Sequence, residues 1–442
     1  MNDKTQKLKL WMRIGQPLEP VMYSYKSIFD AWEAGGVCGL VLGRMQFEGN
    51  IPAFTPNPEV YNTLGVLPPS PPEDELPEKR ALLDKMLTEA KARGWQIFIF
   101  EAAWGIGRGG SGHIFADRVT QKAYCARIQD TLEHFPMVDG AIMDGPEWGY
   151  EIHPEHRSNI FNDLPDSVAE KAAELGYDYN ALVAAKDRFY ERLHNLRRSE
   201  IQLHAPGGLL GAFNLFGSDS DLMDWFRFRV EALTDFFRNV KTHFDGIDRK
   251  VNLGLGPRSA CFAPLNGYDF AKLADVVDIL LPKHYFWNRG VDGLYGTVAR
   301  YIDALTNWNP DLTDADALLV VRALFGFSLP EITNRDDIEK EFPPEFFTEV
   351  VSLETRRALA VVDTPERIVP WVDAGQSPHG GDLINADALR QMLIAAQDAG
   401  LVIFLYHNHG HLTEDEWEVI SEICGEAWRP GKSDYRPPGG RL

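Results

Sequence analysis

The sequence predicts an α/β fold, a single (β/α)8 TIM barrel, on three observations. Eight short apolar runs alternate strictly with helical patterns along the chain. The length of 442 residues suits one barrel carrying insertions. The 28 prolines and 38 glycines are spread along the chain rather than gathered in a linker, so residues 1–442 read as one domain. A doubly wound sheet, the main rival, would close with fewer units and leave a remainder with no composition zone of its own.

The first strand, 8–14, alternates at its start and stops at Gly15; a helix over 24–34 follows, with Gly35 as its stop. Residues 37–42 form an apolar second strand ending at Gly43-Arg44. The Pro-rich stretch 51–77 then reads as a long surface loop that cannot be core. Pro77 opens a helix that runs to Gly94, and 95–101 is the third strand, ending at Glu101. A helix over 115–135 leads into the fourth strand at 141–143, which Gly145-Pro146 stops. Here the spacing breaks: an insertion over about 151–215 carries a helical excursion at 167–198. A long amphipathic helix over 221–244 resumes the alternation, with Leu222, Phe226, Val230, Leu233, Phe237, Val240 and Phe244 on one face. The fifth strand is 251–255, a short helix covers 270–274, and the sixth strand is 276–281. A second insertion over about 288–366 shows helical patterns at 294–305, 315–325 and 345–361. Residues 367–372 make the seventh strand, Asn385 caps a helix that stops at Gly400, and 401–406 is the eighth. Thr413-Glu414-Asp415-Glu416 is a capping box that opens the last helix.

Charge and cysteine usage narrow the function. With 65 acidic against 44 basic residues the formal charge is −21, which repels phosphate backbones and argues against a nucleic-acid partner. A neutral or weakly anionic small ligand fits better. The start of the chain leads straight into a strand-like run without an apolar signal core, and no run reaches membrane-spanning length, so no membrane partner is expected. Cys38, Cys125, Cys261 and Cys424 are widely spaced and form no C-x-x-C pair; they read as buried thiols of a reducing, cytoplasmic compartment.

The chemistry is expected in the stretch 138–150. Asp144 and Glu147 fall at the C-terminal end of the fourth strand, the end that faces the ligand in a parallel β/α fold. Three residues apart on irregular backbone, they can enter one pocket and divide the roles of acid and base. Alternatively Asp144 caps its own loop and Glu147 is solvated. The eight strand ends together supply Arg44, Glu101, Trp104, Asp144, Glu147, Trp148, Arg258, Lys283, His284, Tyr285, Trp287, Asp373, His407 and His409. Acids, planar donors and aromatics in this mixture suit a carbohydrate: sugar C–H faces stack on rings, hydroxyls take hydrogen bonds, and two carboxylates drive glycosidic cleavage. For any single Trp, rim or core packing is the simpler account.

Three segments carry a family resemblance. Asp139-Gly140-Ala141-Ile142-Met143-Asp144, the helix through Trp225 and Arg229, and Val277-Asp278-Ile279-Leu280-Leu281-Pro282-Lys283-His284-Tyr285-Phe286-Trp287 resemble the matching segments of bacterial glycosyl-hydrolase-like (β/α)8 barrels, over residues 139–287. The resemblance implies a retaining or inverting glycosidase, with Asp144 matching the motif's terminal acid. Glycosidases of the large retaining clan carry an acid/base Glu after strand four, where Glu147 sits. They place a Glu nucleophile at strand seven, where this chain has Asp373, one methylene shorter. The nucleophile therefore stays open between Asp373 and Asp144.

Two other motifs point elsewhere. Gly105-Ile106-Gly107-Arg108-Gly109-Gly110 satisfies G-x-G-x-x-G but follows the third strand with no ribose-binding acid at the right distance, so it reads as a loop over the pocket. His407-x-His409-x-His411 has period two and could join Glu101 or Asp144 on a metal if the strand persisted, although Asn408 and Gly410 suggest a loop. The leading expectation is a glycoside hydrolase acting on an oligosaccharide or glycoside, with Glu147 as general acid/base, Asp373 or Asp144 as the second carboxylate, and neither metal nor cofactor. The alternatives are a metal-dependent sugar isomerase or lyase using Glu101, His284, His407 and His409, or a barrel that binds glycans without cleaving them.

Overall fold

The computed structural model describes residues 7–102, 116–157, 159–286, 293–372 and 385–439. Eight parallel strands carry the fold: β1 (Lys9–Ile14), β2 (Val37–Leu42), β3 (Gln96–Ala102), β4 (Gly140–Asp144), β5 (Asn252–Gly256), β6 (Ile279–Leu280), β7 (Trp371–Val372) and β8 (Ile403–Tyr406). They pair in the order β6-β5-β4-β3-β2-β1-β8-β7. Parallel bridges between Leu280 and Ile368 and between Lys283 and Trp371 join the two ends, so the sheet closes into a barrel. All eight predicted strands are present, offset by a few residues at most.

Because the side-chain period of a strand is two, alternate residues fill the barrel and the rest face the helices. Trp11, Val41, Phe98, Phe100, Ile142, Leu281, Val369, Trp371 and Leu405 form the inner core, with Trp11 stacked on Phe98 at 4.9 Å between ring centres. Their neighbours Leu10, Met12, Leu40, Ile97, Ile99, Met143, Leu253 and Phe404 belong to the outer core under the helices. Gly140 sets the β4–β5 contact: a Cβ there would collide with the Asn252 carbonyl oxygen, a backbone atom that cannot step aside.

The helices start where the caps predict. Asn385 accepts from the Ala388 amide at the head of Ala386–Asp398, and Thr413 with Glu416 forms a capping box at Glu414–Cys424. Four features depart from expectation. The Pro-rich stretch is not all surface loop: the two-residue strands Gln46–Phe47 and Ile51–Pro52 pair antiparallel, and Asn57 caps a helix over Pro58–Leu64 that buries Val60 and Tyr61 beside Ala126. The insertion after β4 contains, beyond Asp166–Glu174 and Tyr179–Leu193, two further helices, Arg198–His204 and Gly208–Phe216. The long helix Ser220–Asp245 turns Trp225, Phe228 and Arg229 inward and leaves Phe226 and Val230 half-buried, because it packs on the insertion as well as the barrel; Phe189 of the insertion lies against both Trp225 and Phe226. Cys125, Cys261 and Cys424 are buried free thiols, whereas Cys38 is half-buried. Among the described residues no helix is long and apolar enough to cross a membrane.

Candidate active site

The inward parity of β4, set by Ile142, carries Asp144 into the C-terminal mouth of the barrel. Opposite it, the inward series Ile279, Leu281 continues to Lys283. Three backbone bonds fix this strand end: Lys283 N–H to the Pro257 carbonyl at 2.9 Å, His284 N–H to the Trp371 carbonyl at 3.0 Å, and Trp371 N–H to the Pro282 carbonyl at 2.9 Å. Lys283 Nζ then lies 2.7 Å from Asp144 Oδ1, with both side chains largely withdrawn from solvent.

Glu147 follows the turn at Gly145, whose φ of 91° suits glycine. Its Oε1 accepts from Arg258 Nε at 2.7 Å and also from Arg258 Nη2, so the guanidinium grips one carboxylate oxygen with two donors. Arg258 stands two residues beyond β5 and is itself buried. The turn is held from behind by Tyr268, whose hydroxyl donates to the Pro146 carbonyl at 3.2 Å. Burial, with the charges of Glu147 and Asp144 nearby, pushes the Tyr268 phenol well above its ordinary range, so it stays a donor.

Aromatic rings line the rest of the mouth. Trp371 meets Phe100 edge-on at 5.4 Å and His407 at 5.3 Å, and His407 meets Tyr285 at 5.7 Å. Arg13 of β1 lies 4.6 Å over the Phe100 ring and donates to the His407 carbonyl at 3.2 Å. Arg44 sits half-buried just beyond β2, its carbonyl accepting from the Gln46 amide at 2.7 Å. The structure thus brings together Asp144, Glu147, Arg258, Lys283, Tyr285 and His407 from the predicted set, with Arg44 at the same end of the sheet. It adds Arg13, Phe100, Gly256 and Trp371, which sequence reasoning passed over. The inward parity of Trp11 and Phe98 points to Arg13 and Phe100, two residues on in each strand.

Four predicted residues face away from the mouth. Glu101 is the outward neighbour of Phe100 and pairs with Arg127 of the helix Arg118–His134. Trp148 is buried, with its indole N–H donating to the Arg229 carbonyl at 2.9 Å and the Arg229 guanidinium 5.4 Å from its ring, so it is a wall residue rather than a sugar platform. His284 points into the helix layer, its Nε2 3.1 Å from Thr355 Oγ1, and burial lowers its pKa to about 3. His409 lies in the short 3-10 turn His409–His411 against Trp32, with its pKa lowered by burial to about 4. The isomerase set is therefore dispersed: of Glu101, His284, His407 and His409 only His407 faces the mouth. Among the described residues no three metal-ligating side chains cluster. Trp104, Trp287, Asp373 and the glycine motif at 105–110 lie outside the described residues. At the opposite end of the barrel a cavity of about 890 Å³, bordered by Lys9, Gln96, Asn252 and Asp278, contains none of the mouth residues.

No protein-family model matches the chain, and no curated protein matches it in sequence. Among solved structures it is similar to the PgaB (BpsB) glycoside hydrolase domain from Bordetella bronchiseptica, at 10% identity and a TM-score of 0.49, covering 94% of this chain and 99% of that one. The beta-galactosidase from the psychrophilic Marinomonas ef1 has the same identity and score, over 94% of this chain and 59% of that one. A chitinase from Chromobacterium violaceum matches at 10% identity and a TM-score of 0.42, over 96% of this chain and all of that one.

Proposed function

We propose that this barrel is a glycoside hydrolase that cleaves an O-glycosidic bond in an oligosaccharide or glycoside at the C-terminal mouth. The observation that carries the reading is the pair of carboxylates, Asp144 and Glu147, each held by its own buried cation in a mouth walled by Trp371, Phe100 and Tyr285. Aromatic faces match the apolar faces of a sugar ring, and two positioned carboxylates are what glycosidic cleavage needs. In this reading Glu147 protonates the leaving oxygen and later activates water, with Arg258 keeping its carboxyl in register. Asp144, or Asp373, supplies the second carboxylate, which stabilises the positive charge that develops on the sugar ring or attacks it. Lys283 fixes Asp144 so that little reorganisation is required as that charge appears. The chemistry calls for no metal and no cofactor. The free thiols support a cytoplasmic setting.

The test is turnover on a panel of 4-nitrophenyl glycosides by the wild type, Asp144→Asn and Glu147→Gln. At least one glycoside should be hydrolysed; Asp144→Asn should lower its kcat/KM by about 10²-fold or more, and Glu147→Gln should do so on the alkyl glycoside of the same sugar while costing far less on the 4-nitrophenyl glycoside. A wild-type enzyme that binds glycans but hydrolyses none would leave only the glycan-binding alternative.

A further inference from the structure

Arg229 is a buried cation that no carboxylate answers. It stands on the inward face of the helix Ser220–Asp245 and is 1% exposed, with its guanidinium 4.7 Å from the Trp225 ring and 5.4 Å from the Trp148 ring. Among the described residues no Asp or Glu pairs with it, and its Nε and Nη1 have no hydrogen-bond partner. The two indole rings attract the charge, but less than a carboxylate would, and burial lowers the pKa to about 9. An unpaired charge at such a place works against stability, so the arginine calls for a reason other than packing.

The directed bond it makes supplies that reason. Arg229 Nη2 donates to the Gly149 carbonyl, and the Arg229 carbonyl accepts from Trp148 Nε1 at 2.9 Å, so one residue holds the two that follow Glu147. The rest of the stretch is tethered in the same manner. The Tyr268 hydroxyl holds the Pro146 carbonyl, the Trp148 amide donates to the Asn266 carbonyl at 3.1 Å, and the Tyr301 hydroxyl donates to the Tyr150 carbonyl. Glu151 accepts from Thr297 Oγ1 at 2.8 Å and from Arg300 Nε at 2.9 Å. Thr297, Arg300 and Tyr301 all belong to the helix Leu294–Trp308 of the second insertion. The Tyr150 ring in turn lies 5.8 Å from the Arg258 guanidinium that grips Glu147. Each residue from Pro146 to Glu151 is thus held by a partner outside the stretch.

We infer that Arg229 is a positioning residue for the proton donor: by fixing Trp148 and Gly149 it presets the 146–151 stretch, so that the Glu147 carboxyl meets the leaving oxygen without rearrangement. The inference rests on the proposed glycosidase reading and adds to it the device that orients its acid. Proton transfer depends on such orientation, because the carboxyl must stand within hydrogen-bond reach of the oxygen it protonates, and a displacement of about 1 Å can cost about 10²-fold in rate. A group retained for this purpose has a distinct signature. Its removal should spare the fold, because an unpaired buried charge is relieved, and should damage only the reactions that need a proton from Glu147.

The experiment compares wild type, Arg229→Met and Arg229→Lys on the 4-nitrophenyl and the methyl glycoside of the sugar turned over best. Arg229→Met should melt within about 2 °C of wild type by circular dichroism. Its kcat/KM should fall about ten- to a hundredfold on the methyl glycoside, whose leaving oxygen needs the proton, and less than about threefold on the 4-nitrophenyl glycoside. Arg229→Lys keeps a donor for the Gly149 carbonyl and should lose less on the methyl glycoside than Arg229→Met. The ratio of the two losses decides. Equal losses on both substrates would overturn the inference, since a merely structural strut lowers the amount of active protein without regard to the leaving group; unchanged rates on both would overturn it too. If Arg229→Met does not fold, Arg229→Lys is read by the same ratio. If wild type hydrolyses no glycoside, the glycosidase reading fails by itself, and the preset stretch is tested by amide hydrogen exchange. Exchange at 147–151 that is about tenfold or more faster in Arg229→Met, with the barrel strands unchanged, supports it, and unchanged exchange overturns it.

Discussion

Lys283→Met removes an ammonium from the mouth while keeping a side chain of similar length, and it strands the Asp144 carboxylate 2.7 Å from where its partner was. The side chains are 13% and 5% exposed, so water cannot take over as counter-charge. Breaking a buried pair from one side costs about 3–5 kcal/mol, mostly the penalty of the unpaired partner. Unfolding entropy is about 2.1 cal/mol/K per residue, or roughly 0.9 kcal/mol/K for a chain of this length, so the melting temperature should fall by roughly 4 °C. The double variant Asp144→Asn/Lys283→Met removes both charges and should recover much of that loss, with a coupling of about 2 kcal/mol or more in the cycle. Thermal unfolding of the four proteins by circular dichroism reads both quantities. If Lys283→Met melts within 1 °C of wild type, or the two single losses simply add, the pair is not the buried, mutually dependent unit described here.

Gly140→Ala should prevent folding or lower the melting temperature by several degrees, because its methyl meets the Asn252 carbonyl rather than a movable side chain; soluble yield and thermal unfolding report it. His284 and His409, lowered to about 3 and about 4, stay neutral in the fold while the unfolded chain takes up protons below about 6.5. The unfolded state thus binds more protons in that window, and each histidine should subtract roughly 2–3 kcal/mol of stability as the pH falls from 6.5 to 4.5. Urea titrations across that range should show a shallower loss for His409→Gln than for wild type. Activity should persist after dialysis against EDTA; loss on chelation with recovery on adding a divalent ion would favour metal-dependent chemistry instead.

The strands were legible because a buried parallel strand is a short apolar run bounded by glycine and proline, and runs such as 37–42 admit no other reading. The same property hid their parity. With both faces apolar, nothing in Phe98-Ile99-Phe100-Glu101 says which residues turn inward, so the sequence points to Glu101 and His284 although their inward neighbours Phe100, Lys283 and Tyr285 are the residues that reach the mouth. Closure of the barrel supplies the missing information: once Trp11 and Phe98 stack inside it, each later residue of those strands is assigned by counting in twos. The helix at Pro58–Leu64 had a readable start, Asn57 followed by Pro58, that the surrounding prolines obscured. Gly208–Phe216 had only glycines at its borders and no polar face to give it a period.

The central claim is that the carboxylates of the mouth perform glycosidic cleavage, and the leaving-group dependence of Glu147→Gln tests it most directly. Gln keeps the shape and can still accept from Arg258, but it cannot donate a proton to a leaving oxygen. Turnover should fall about 10²- to 10⁴-fold on a glycoside with a poor alkyl leaving group and far less on the 4-nitrophenyl glycoside of the same sugar, whose leaving group departs without protonation. Wild-type rates on both, or equal losses on both, would contradict the assignment of Glu147 as the proton donor of this site.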